Sequence, residues 1–209
     1  MADDAMTGSV LLSSAYLGPV SYYQAVAAAD HACIEQCDHY HKQTYRNRCR
    51  ILTGNGVMDL SVPVVNTGGK MCVKDLRIAY VENWQQVHWR AIASAYNSSP
   101  FFEYYKDDFE PFYTKKTEFL IDLNMELMRV VMELIGLKTE LSLSDDYLTE
   151  PSSQDLREAF SPKTASSLPL RPYYQVFDQK FGFVPDMSVL DLLFNMGPES
   201  ILYLKTPKG

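Results

Sequence analysis

The fold class is decided by residues 10–36, VLLSSAYLGPVSYYQAVAAADHACIEQ. Val10–Tyr16 is apolar and ends before Gly18-Pro19, a pair typical of a turn, so we predict a buried first strand. Val20–Ala29 is rich in alanine and has an apolar stripe at helical spacing, which predicts a helix. His31–Gln36 follows as a short second strand. This order indicates a βαβ unit and favours a parallel sheet.

The chain continues with strand signals as far as residue 80. Arg48–Thr53 and Val57–Val64 flank Gly54-Asn55-Gly56. Glycine accepts the positive φ that a tight hairpin turn requires, so this stretch predicts a β-hairpin. Val73–Tyr80 is predicted as a further strand. The first half of the chain is therefore expected to supply the sheet.

The second half is predicted to be mainly helical. Asn83 can cap a helix over Trp84–Tyr96. Phe102–Phe112 predicts only short helical turns, because a proline interrupts it. The strongest pattern is Thr117–Ile135, where leucine and valine recur at spacings of three and four, with Gly136 as its C-cap.

The C-terminal third begins with a stretch rich in serine and proline. Ser142–Leu170 is predicted as a surface loop that contains a short helix over Gln154–Phe160. Tyr173–Phe177 is predicted as a strand, and a capping pair at Ser188 opens a last long helix. We expect a single α/β domain over residues 1–209. Its mixed β-sheet comes from the N-terminal half, as a βαβ start plus a hairpin, and helices mainly from the C-terminal half pack against it.

Composition limits the classes of function. The chain has 209 residues, 19 Lys and Arg against 26 Asp and Glu, and a formal net charge of −7, which argues against nucleic-acid binding. No segment approaches the roughly 20 apolar residues of a membrane span, and Asp3-Asp4 stands where a secretory signal is basic. We therefore expect a cytoplasmic protein. Its four cysteines are expected to be free thiols.

The most unusual local feature is the basic cluster Lys42–Arg48, KQTYRNR. Two arginines and a lysine this close repel one another unless water, carboxylates or a bound anion offset their charge. Arg46 and Arg48 could clamp a phosphate or carboxylate, with Asn47 and Tyr45 adding directional hydrogen bonds. In the alternative interpretation the arginines are solvated or pair with nearby carboxylates. The nearest such carboxylates are Asp30, Glu35 and Asp38.

Two other groups of residues could bind a metal or take part in catalysis. Cys33, Cys37, His39 and His41 include soft ligands that suit Zn²⁺, but their spacing is not a standard zinc pattern. Free cysteines and surface histidines are the alternative, and we expect no metal or other cofactor.

His88 is the second such group. It stands four residues after Trp84, on the same helical face, with Trp89 beside it. A histidine next to indoles could have a shifted pKa and act as a general acid or base. The alternative is a core histidine that hydrogen-bonds a neighbouring carbonyl.

Several stretches resemble one known family in order and spacing. They are Ala15–Leu17 with Tyr22-Tyr23, Lys42–Arg48, Leu60–Val64, Asn83-Trp84 with His88-Trp89 and Ala95-Tyr96, Pro100–Phe102, and Asp191–Glu199. Together they identify the chain as similar to the WbqC-like protein family over nearly its whole length. The resemblance implies a link to surface-polysaccharide (O-antigen) gene clusters, but it implies no particular reaction.

The chain departs from that family in two places. In many relatives the residues just before the first Tyr-Leu resemble His-Gln-Pro. This chain has Leu12, Ser13 and Ser14 there. If that histidine does chemistry in relatives, this chain lacks the reaction or performs it differently. Ser142–Leu170 also looks abbreviated, so a segment that covers the substrate in relatives is expected to be missing.

Two functions follow from these features. In an open α/β sheet the ligand crevice lies beyond the carboxyl ends of the strands, where the basic cluster is expected. The first hypothesis is a transferase acting on an activated sugar or another small phosphate-bearing ligand. Its proposed site residues are Lys42, Arg46 and Arg48 for the anion, Tyr16, Tyr45, Asn47 and Trp84 around the substrate, and His88 for proton transfer.

The alternative hypothesis is a non-catalytic interaction or scaffold protein of the same pathway. Its partner surface would be aromatic, and the candidates are Phe101, Phe102, Tyr104 and Tyr105. Aromatic side chains are more often part of the core than of an interface, so this hypothesis requires them to be exposed.

Overall fold

The chain begins with the predicted βαβ unit. The computed structural model describes residues 8–65, 70–149, 151, 153–164, 166 and 168–205. Its first elements are strand β1 (Ser9–Ser13), helix α1 (Val20–Ala28) and strand β2 (His31–Glu35). β1 and β2 pair in parallel, with Leu11 opposite Cys33. The prediction is confirmed, because α1 supplies the crossover that two parallel strands require.

The predicted hairpin is also present. Strand β3 (Arg48–Thr53) pairs antiparallel with strand β4 (Gly56–Ser61), which places Arg48 opposite Ser61. Gly56 closes the turn with a φ of +105°, a conformation that favours glycine. The hairpin forms a two-stranded sheet of its own. The α/β class is therefore confirmed, but its strands divide into two sheets where the sequence predicted one mixed sheet.

Two short strands from the second half widen the parallel sheet. Strand β5 (Glu140–Leu143) pairs with β2, and strand β6 (Gln154–Asp155) pairs with β1, which gives the order β5-β2-β1-β6. β6 stands where the sequence predicted a short helix over Gln154–Phe160, and that helix is wrong. A two-residue strand depends on its neighbour in the sheet more than on its own sequence, so local patterns do not reveal it.

Three long helices occupy the middle of the chain, and the first and third of them are predicted by the sequence. They are α2 (Trp84–Tyr96), α3 (Phe102–Thr114) and α4 (Leu120–Ile135). Gly136 ends α4 in the left-handed conformation, with φ +78°, and so confirms the predicted C-cap. The prediction of only short turns for α3 is wrong. Its proline lies among the last four residues, where one lost hydrogen bond is offset by the burial of Phe109 and Tyr113.

Two predicted strands do not form. Val73–Tyr80 contains a 3₁₀ turn over Val73–Asp75 and isolated bridges at Arg77 and Ile78. Tyr173–Phe177 has the alternating burial of a strand, with Tyr173 and Gln175 buried, but none of the strands that the structure describes pairs with it. Both segments have the side-chain pattern of a strand and lack a continuous backbone partner, which a sequence pattern cannot supply.

The C-terminal helices complete one hydrophobic core. They are α5 (Asp178–Phe181), α6 (Val189–Met196) and α7 (Ser200–Leu204). Ser188 caps α6 by accepting a hydrogen bond from the Leu190 amide, as predicted. Phe194 of α6 packs against three buried rings of the core, those of Tyr96, Phe102 and Phe109. Within the described ranges, no helix has both the length and the apolar character that crossing a membrane requires.

Gly197, just after α6, offers a test of this packing. Its φ is +53°, and an added Cβ would lie 2.5 Å from Cδ1 of Phe101. We expect Gly197→Ala to lower the free energy of unfolding by about 2 kcal/mol, measured by urea denaturation. Gly182→Ala is the control, because Gly182 also has positive φ but no atom within 4 Å of an added Cβ. It should cost about 1 kcal/mol. Equal costs would show that the Phe101 contact contributes nothing.

Candidate functional site

The basic cluster lies in the loop that follows β2. This loop is held in place by residues 71–74, since the Tyr40 amide donates to the Met71 carbonyl and the Val73 amide donates to the Asp38 carbonyl, both at 2.9 Å. The cluster then runs into β3 at Arg48. It therefore begins near the carboxyl end of the parallel sheet, where the sequence placed it.

Arg46 is part of an internal ion pair. Its Nη2 lies 2.5 Å from Oδ2 of Asp38 and 2.8 Å from Oγ of Ser13, at the end of β1. The more distant Glu158 carboxylate is at 3.3 Å. The Arg46 side chain is only 4% exposed. The structure therefore shows the alternative that the sequence left open, in which this arginine is neutralised by a carboxylate.

A second buried carboxylate holds the same edge of the sheet together. Glu35, the last residue of β2, has no exposed surface. It accepts hydrogen bonds from the Ser144 hydroxyl at 2.6 Å and from the Cys37 and Leu148 amides, and Nη1 of Arg157 is at 3.4 Å. The sequence named Glu35 only as one possible partner of the cluster arginines, and it did not single out Arg157. A glutamate that ends a buried strand was the available signal, because such a group must be paired.

These polar contacts fill the crevice at the carboxyl edge. The cavity left between Ser13, Arg46 and Arg157 is about 10 Å³, the space of one water molecule. A metabolite therefore does not fit directly at the strand ends. A space of ligand size is lined by other residues of the basic loop together with the hairpin.

That space is a cavity of about 360 Å³, which we call the basic cavity. Its polar side is formed by Tyr40, Lys42, Gln43, Asn47 and Arg48, with Ser61 of β4. Its apolar wall is formed by Val64, Val65, Met71 and Leu76. Its volume falls within the range of about 300–1,000 Å³ that is usual for small-molecule sites. Four of the seven residues of the predicted cluster line it.

Arg48 is the most ordered cation of the basic cavity. Its Nε donates to Oγ of Ser61 at 3.1 Å, and its Nη1 donates to Oδ2 of Asp59 at 3.0 Å. The side chain stays 25% exposed. A guanidinium has five N–H groups, so further donors remain beyond these two contacts. Arg48 is thus fixed in orientation and retains the capacity to bind an anion.

The other polar groups of the basic cavity differ in exposure. Lys42 and Gln43 are exposed, and Gln43 has a φ of +60°, which is uncommon for a residue other than glycine. Asn47 is buried and donates to the Val62 carbonyl at 2.8 Å. Burial raises the pKa of Tyr40, while the nearby Arg48 and Arg46 charges lower it. The net pKa of Tyr40 is raised, so its phenol is a neutral hydrogen-bonding group near neutral pH.

His88 lies outside the basic cavity, in a buried hydrogen-bond chain. Its Nδ1 is 2.9 Å from the Tyr16 hydroxyl, and that hydroxyl is 2.9 Å from the hydroxyl of Tyr113. Burial lowers the pKa of His88 to about 4, an effect that a hydrogen bond with the Ser61 backbone opposes. The imidazole is therefore neutral near pH 7. This burial matches the alternative of a core histidine, with the Tyr16 hydroxyl as its side-chain partner.

The remaining predicted site residues are part of the core. Tyr45 is buried, and its carbonyl accepts a hydrogen bond from the Tyr16 amide at 2.8 Å. Trp84 is buried with its ring 5.1 Å from that of His88. The structure thus brings Lys42, Asn47 and Arg48 to one cavity. It leaves Arg46, Tyr45, Tyr16, Trp84 and His88 in the surrounding packing.

The other two groups raised from the sequence do not assemble. Among the residues that the structure describes, no three His, Cys, Asp or Glu side chains come together as metal ligands, and this includes Cys33, Cys37, His39 and His41. The four aromatic residues proposed as a partner surface also do not form one exposed surface. Phe102 is buried at 3% exposure, whereas Tyr104 is 77% exposed. The described structure therefore gives no specific support to an aromatic partner surface.

A larger cavity, of about 1,060 Å³, lies at the opposite edge of the sheet. It is bordered by Ser9 and His31, the first residues of β1 and β2, and by Ala25 and Ala28 of α1. No lysine or arginine is among its described lining residues. Ligands of open α/β sheets bind at the carboxyl ends of the strands, so the smaller basic cavity is the better candidate.

Fold and cavity together define an α/β protein with a parallel sheet and a ligand-sized basic pocket beside its carboxyl edge. The sequence model of the WbqC-like protein family matches residues 14–167, and the chain belongs to this family. It is also similar to uncharacterized protein Rv1507c of Mycobacterium tuberculosis (strain ATCC 25618 / H37Rv), with 28% identity over 224 aligned positions. The alignment covers 93% of this chain and 96% of that relative. No solved structure matches the chain.

Proposed function

We propose that this chain binds a small phosphate-bearing metabolite in the basic cavity. The observation that carries the proposal is the convergence of Lys42, Asn47 and Arg48 on one cavity of about 360 Å³. A phosphate would offset the repulsion between the two cations, which lie in a chain that is otherwise acidic. Tyr40 and Ser61 add hydroxyl groups at the same wall.

The shape and chemistry of the basic cavity narrow the ligand class. Its volume is near the lower end of the range of about 300–1,000 Å³ for small-molecule sites, which suits a single phosphorylated ring better than a long ligand. The apolar wall of Val64, Val65 and Met71 offers a surface for the less polar face of that ring. A sugar phosphate, or the sugar-phosphate part of a nucleotide-activated sugar, meets both requirements.

The proposal includes a reaction, group transfer, in addition to binding. The resemblance links such proteins to O-antigen gene clusters, and in that setting we propose a transferase that uses a nucleotide-activated sugar in surface-polysaccharide biosynthesis. The described lining of the basic cavity contains no histidine, aspartate or glutamate. We therefore assign these residues to binding and charge neutralisation, which favour departure of a phosphate leaving group. Incubation with UDP-glucose, followed by mass spectrometry for released UDP, tests this part separately.

Removing the Arg48 side chain tests the binding site. We expect wild-type protein to bind glucose 1-phosphate in calorimetry, and Arg48→Ala to weaken that binding by a factor of about 10–100, the usual effect of losing a charged hydrogen bond. Arg50→Ala is the matched control. Arg50 is also on β3 and also near Asp59, at 3.8 Å, but it does not line the basic cavity.

The comparison has clear outcomes. Binding that weakens in Arg48→Ala and stays within about twofold of wild type in Arg50→Ala supports the basic cavity as the site. Equal losses in both variants would point to a general effect of charge on β3. If wild type binds none of inorganic phosphate, glucose 1-phosphate and UDP-glucose, the proposal is wrong.

A further inference from the structure

A second cavity lies at the amino ends of the parallel strands, and we call it the amino-edge cavity. Its volume is about 1,060 Å³, close to the upper end of the range of about 300–1,000 Å³ that is usual for small-molecule sites. It shares none of its described lining residues with the basic cavity, so its ligand is separate from the proposed phosphate ligand. Most of the described lining is apolar, and it includes Val10, Ala25, Ala29, Leu156, Phe160 and Leu168.

The outer wall of the amino-edge cavity is attached to the sheet and to α1. Strand β6 pairs with β1, and just after it the Leu156 amide donates to the Leu11 carbonyl at 2.8 Å. Further along the chain, the Phe160 ring packs edge-to-face on Tyr22 of α1, with the ring centroids 5.4 Å apart. Leu156 and Phe160 both line the cavity. These contacts give the cavity a wall with a defined position.

Gln24 fixes the other end of the same wall. This residue of α1 lines the cavity and is only 7% exposed. Its Nε2 donates to the carbonyls of Pro169 and Tyr203, both at 3.3 Å. One side-chain amide therefore ties α1 to α7 and to the end of the segment that covers the cavity. Both ends of that segment are thus held by hydrogen bonds.

Asp30 supplies the charge of the amino-edge cavity. It stands between α1 and β2, and it lines the cavity. Its amide and the His31 amide both donate to the Gly8 carbonyl, at 2.8 and 2.7 Å. The Asp30 carboxylate lies against Gly8, where an added Cβ would collide with it. The backbone of this turn therefore sets the position of the carboxylate.

The described lining contains no lysine or arginine that would neutralise this carboxylate, and Asp30 is its one acidic residue. His31, the other ionisable residue, is held by two serine hydroxyls. Its Nε2 is 2.9 Å from Oγ of Ser142, and its Nδ1 is 3.3 Å from Oγ of Ser9. With histidine neutral, the amino-edge cavity has a negative potential, in a chain whose formal net charge is −7. Such a cavity repels an anion and attracts a cation.

We propose that the amino-edge cavity binds a small organic amine, whose ammonium group pairs with Asp30 and whose apolar body packs against Leu156 and Phe160. Because most of the described lining is apolar, the body supplies most of the contact area and the charge supplies selectivity. The Phe160 ring favours a body that is itself aromatic, since aromatic rings attract one another in offset or edge-to-face geometry. The proposal is independent of the phosphate site and assigns no reaction to the amine.

Three probes that share one ring system and differ in charge test the class of ligand. Tryptamine carries an ammonium group, tryptophol a hydroxyl and indole-3-acetate a carboxylate on the same indole. We expect wild type to bind them in that order of decreasing affinity, with steps of about threefold to fivefold, the effect of a partly exposed ion pair. NMR titration up to about 10 mM measures the affinities. The amides that shift should be those of Ala25, Ala28 and Leu156, and not that of Arg48.

Substitutions at exposed positions locate the site. Asp30→Asn should weaken tryptamine binding about threefold to fivefold and leave tryptophol within about twofold of wild type. Glu140→Gln is the matched control, because Glu140 is an exposed carboxylate opposite His31 in the sheet and does not line the amino-edge cavity. It should leave all three affinities within about twofold. Ala28→Phe adds a ring at an exposed lining position at the end of α1, and it should weaken all three probes about tenfold.

Each result supports or overturns the proposal. It is wrong if wild type binds none of the three probes, or if the amides that shift lie outside the amino-edge cavity. Equal affinities for the three probes would overturn the amine as the ligand class. Equal losses of tryptamine binding in Asp30→Asn and Glu140→Gln would show a general effect of negative charge and overturn the role of Asp30. Ala28→Leu replaces Ala28→Phe if the amide spectrum of the latter is not that of a folded protein.

The basic cavity provides the last control. Arg48→Ala should bind tryptamine as wild type does, because Arg48 does not line the amino-edge cavity. Tryptamine binding that persists when wild type binds no phosphate ligand supports the amine site while the proposed function fails. Tryptamine binding that is lost in Arg48→Ala would place the amine in the basic cavity and overturn the inference.

Discussion

Replacing Asp38 with alanine is expected to lower the free energy of unfolding by about 3 kcal/mol. Asp38 is the close partner of Arg46, whose side chain is only 4% exposed. Without it, a guanidinium that is almost fully buried would keep its charge and lose its counter-ion. Breaking such a pair from one side costs about 3–5 kcal/mol, and we take the lower end because Glu158 remains 3.3 Å away.

The two carboxylates beside Arg46 differ in exposure, and this difference provides the control. Glu158→Ala removes a carboxylate that is 81% exposed, so it should cost less than about 1 kcal/mol. Adding Arg46→Met to Asp38→Ala should recover at least about 1 kcal/mol, because the uncompensated charge disappears. Urea denaturation at pH 7 measures all four proteins. An Asp38→Ala variant within about 1 kcal/mol of wild type would mean that solvent reaches Arg46, and would restore Arg46 as a direct ligand for the anion.

The ion pair between Arg46 and Asp38 also shows how much of the site the sequence could predict. The unusual density of charge over Lys42–Arg48 drew attention to a loop that lines the basic cavity. Arg48 lines the basic cavity, whereas Arg46 is held in an internal ion pair by Asp38, with Ser13 of β1 as a further partner. No local pattern contains that information, because a buried pair is recognised by its partners.

Other site residues were closer to being predictable. The turn at Gly54-Asn55 fixes the hairpin register, and that register places Ser61 opposite Arg48. Ser61 could therefore have been included from the sequence. The apolar wall could not, since Val65 and Met71 lie in irregular segments without a helical or strand period. The basic cavity exists only because those segments pack beside the loop.

The predictions of the fold divide in the same way, into elements that have their own sequence pattern and elements that depend on an adjacent strand. The βαβ start and the helices α2 and α4 are signalled by patterns that lie within each element, and these predictions are confirmed. β6 and the failed strand at Tyr173–Phe177 depend on whether another strand is adjacent. Tyr173 and Gln175 are buried because their side chains donate to Asp191, at 2.8 and 2.7 Å, and not because of a sheet. Alternation alone does not distinguish these two causes of burial.

The second large effect concerns pH, because two buried groups respond to acid with opposite signs. Burial lowers the pKa of His88 from 6.5 to about 4, so its contribution to stability is complete above pH 6.5 and is lost as the pH falls toward 4. Burial raises the pKa of Asp191 from 3.8 to about 6, so its contribution is complete below 3.8 and is lost as the pH rises through 6. At about 1.4 kcal/mol per pH unit, each effect amounts to roughly 3 kcal/mol.

Single variants should separate these two contributions. We expect the stability difference between wild type and His88→Gln to fall by about 3 kcal/mol between pH 7 and pH 4, since only wild type must protonate the imidazole. The difference between wild type and Asp191→Asn should rise by about 3 kcal/mol over the same range, since only wild type carries the buried carboxylate at pH 7. Urea denaturation at each pH unit gives both curves, and the comparison with wild type cancels the exposed carboxylates that the proteins share.

The pH effects of His88 and Asp191 are nearly equal in size, and this affects the stability profile of wild type. Between pH 6 and pH 4 the two contributions offset one another, so a flat stability profile of wild type would not mean that no buried group titrates. Wild type and the double variant His88→Gln/Asp191→Asn should therefore have similar pH dependence, while the two single variants diverge in opposite directions. Parallel curves for all four proteins would contradict the burial of His88 and Asp191. In that case solvent would reach His88 and Asp191, and their placement in the core would be wrong.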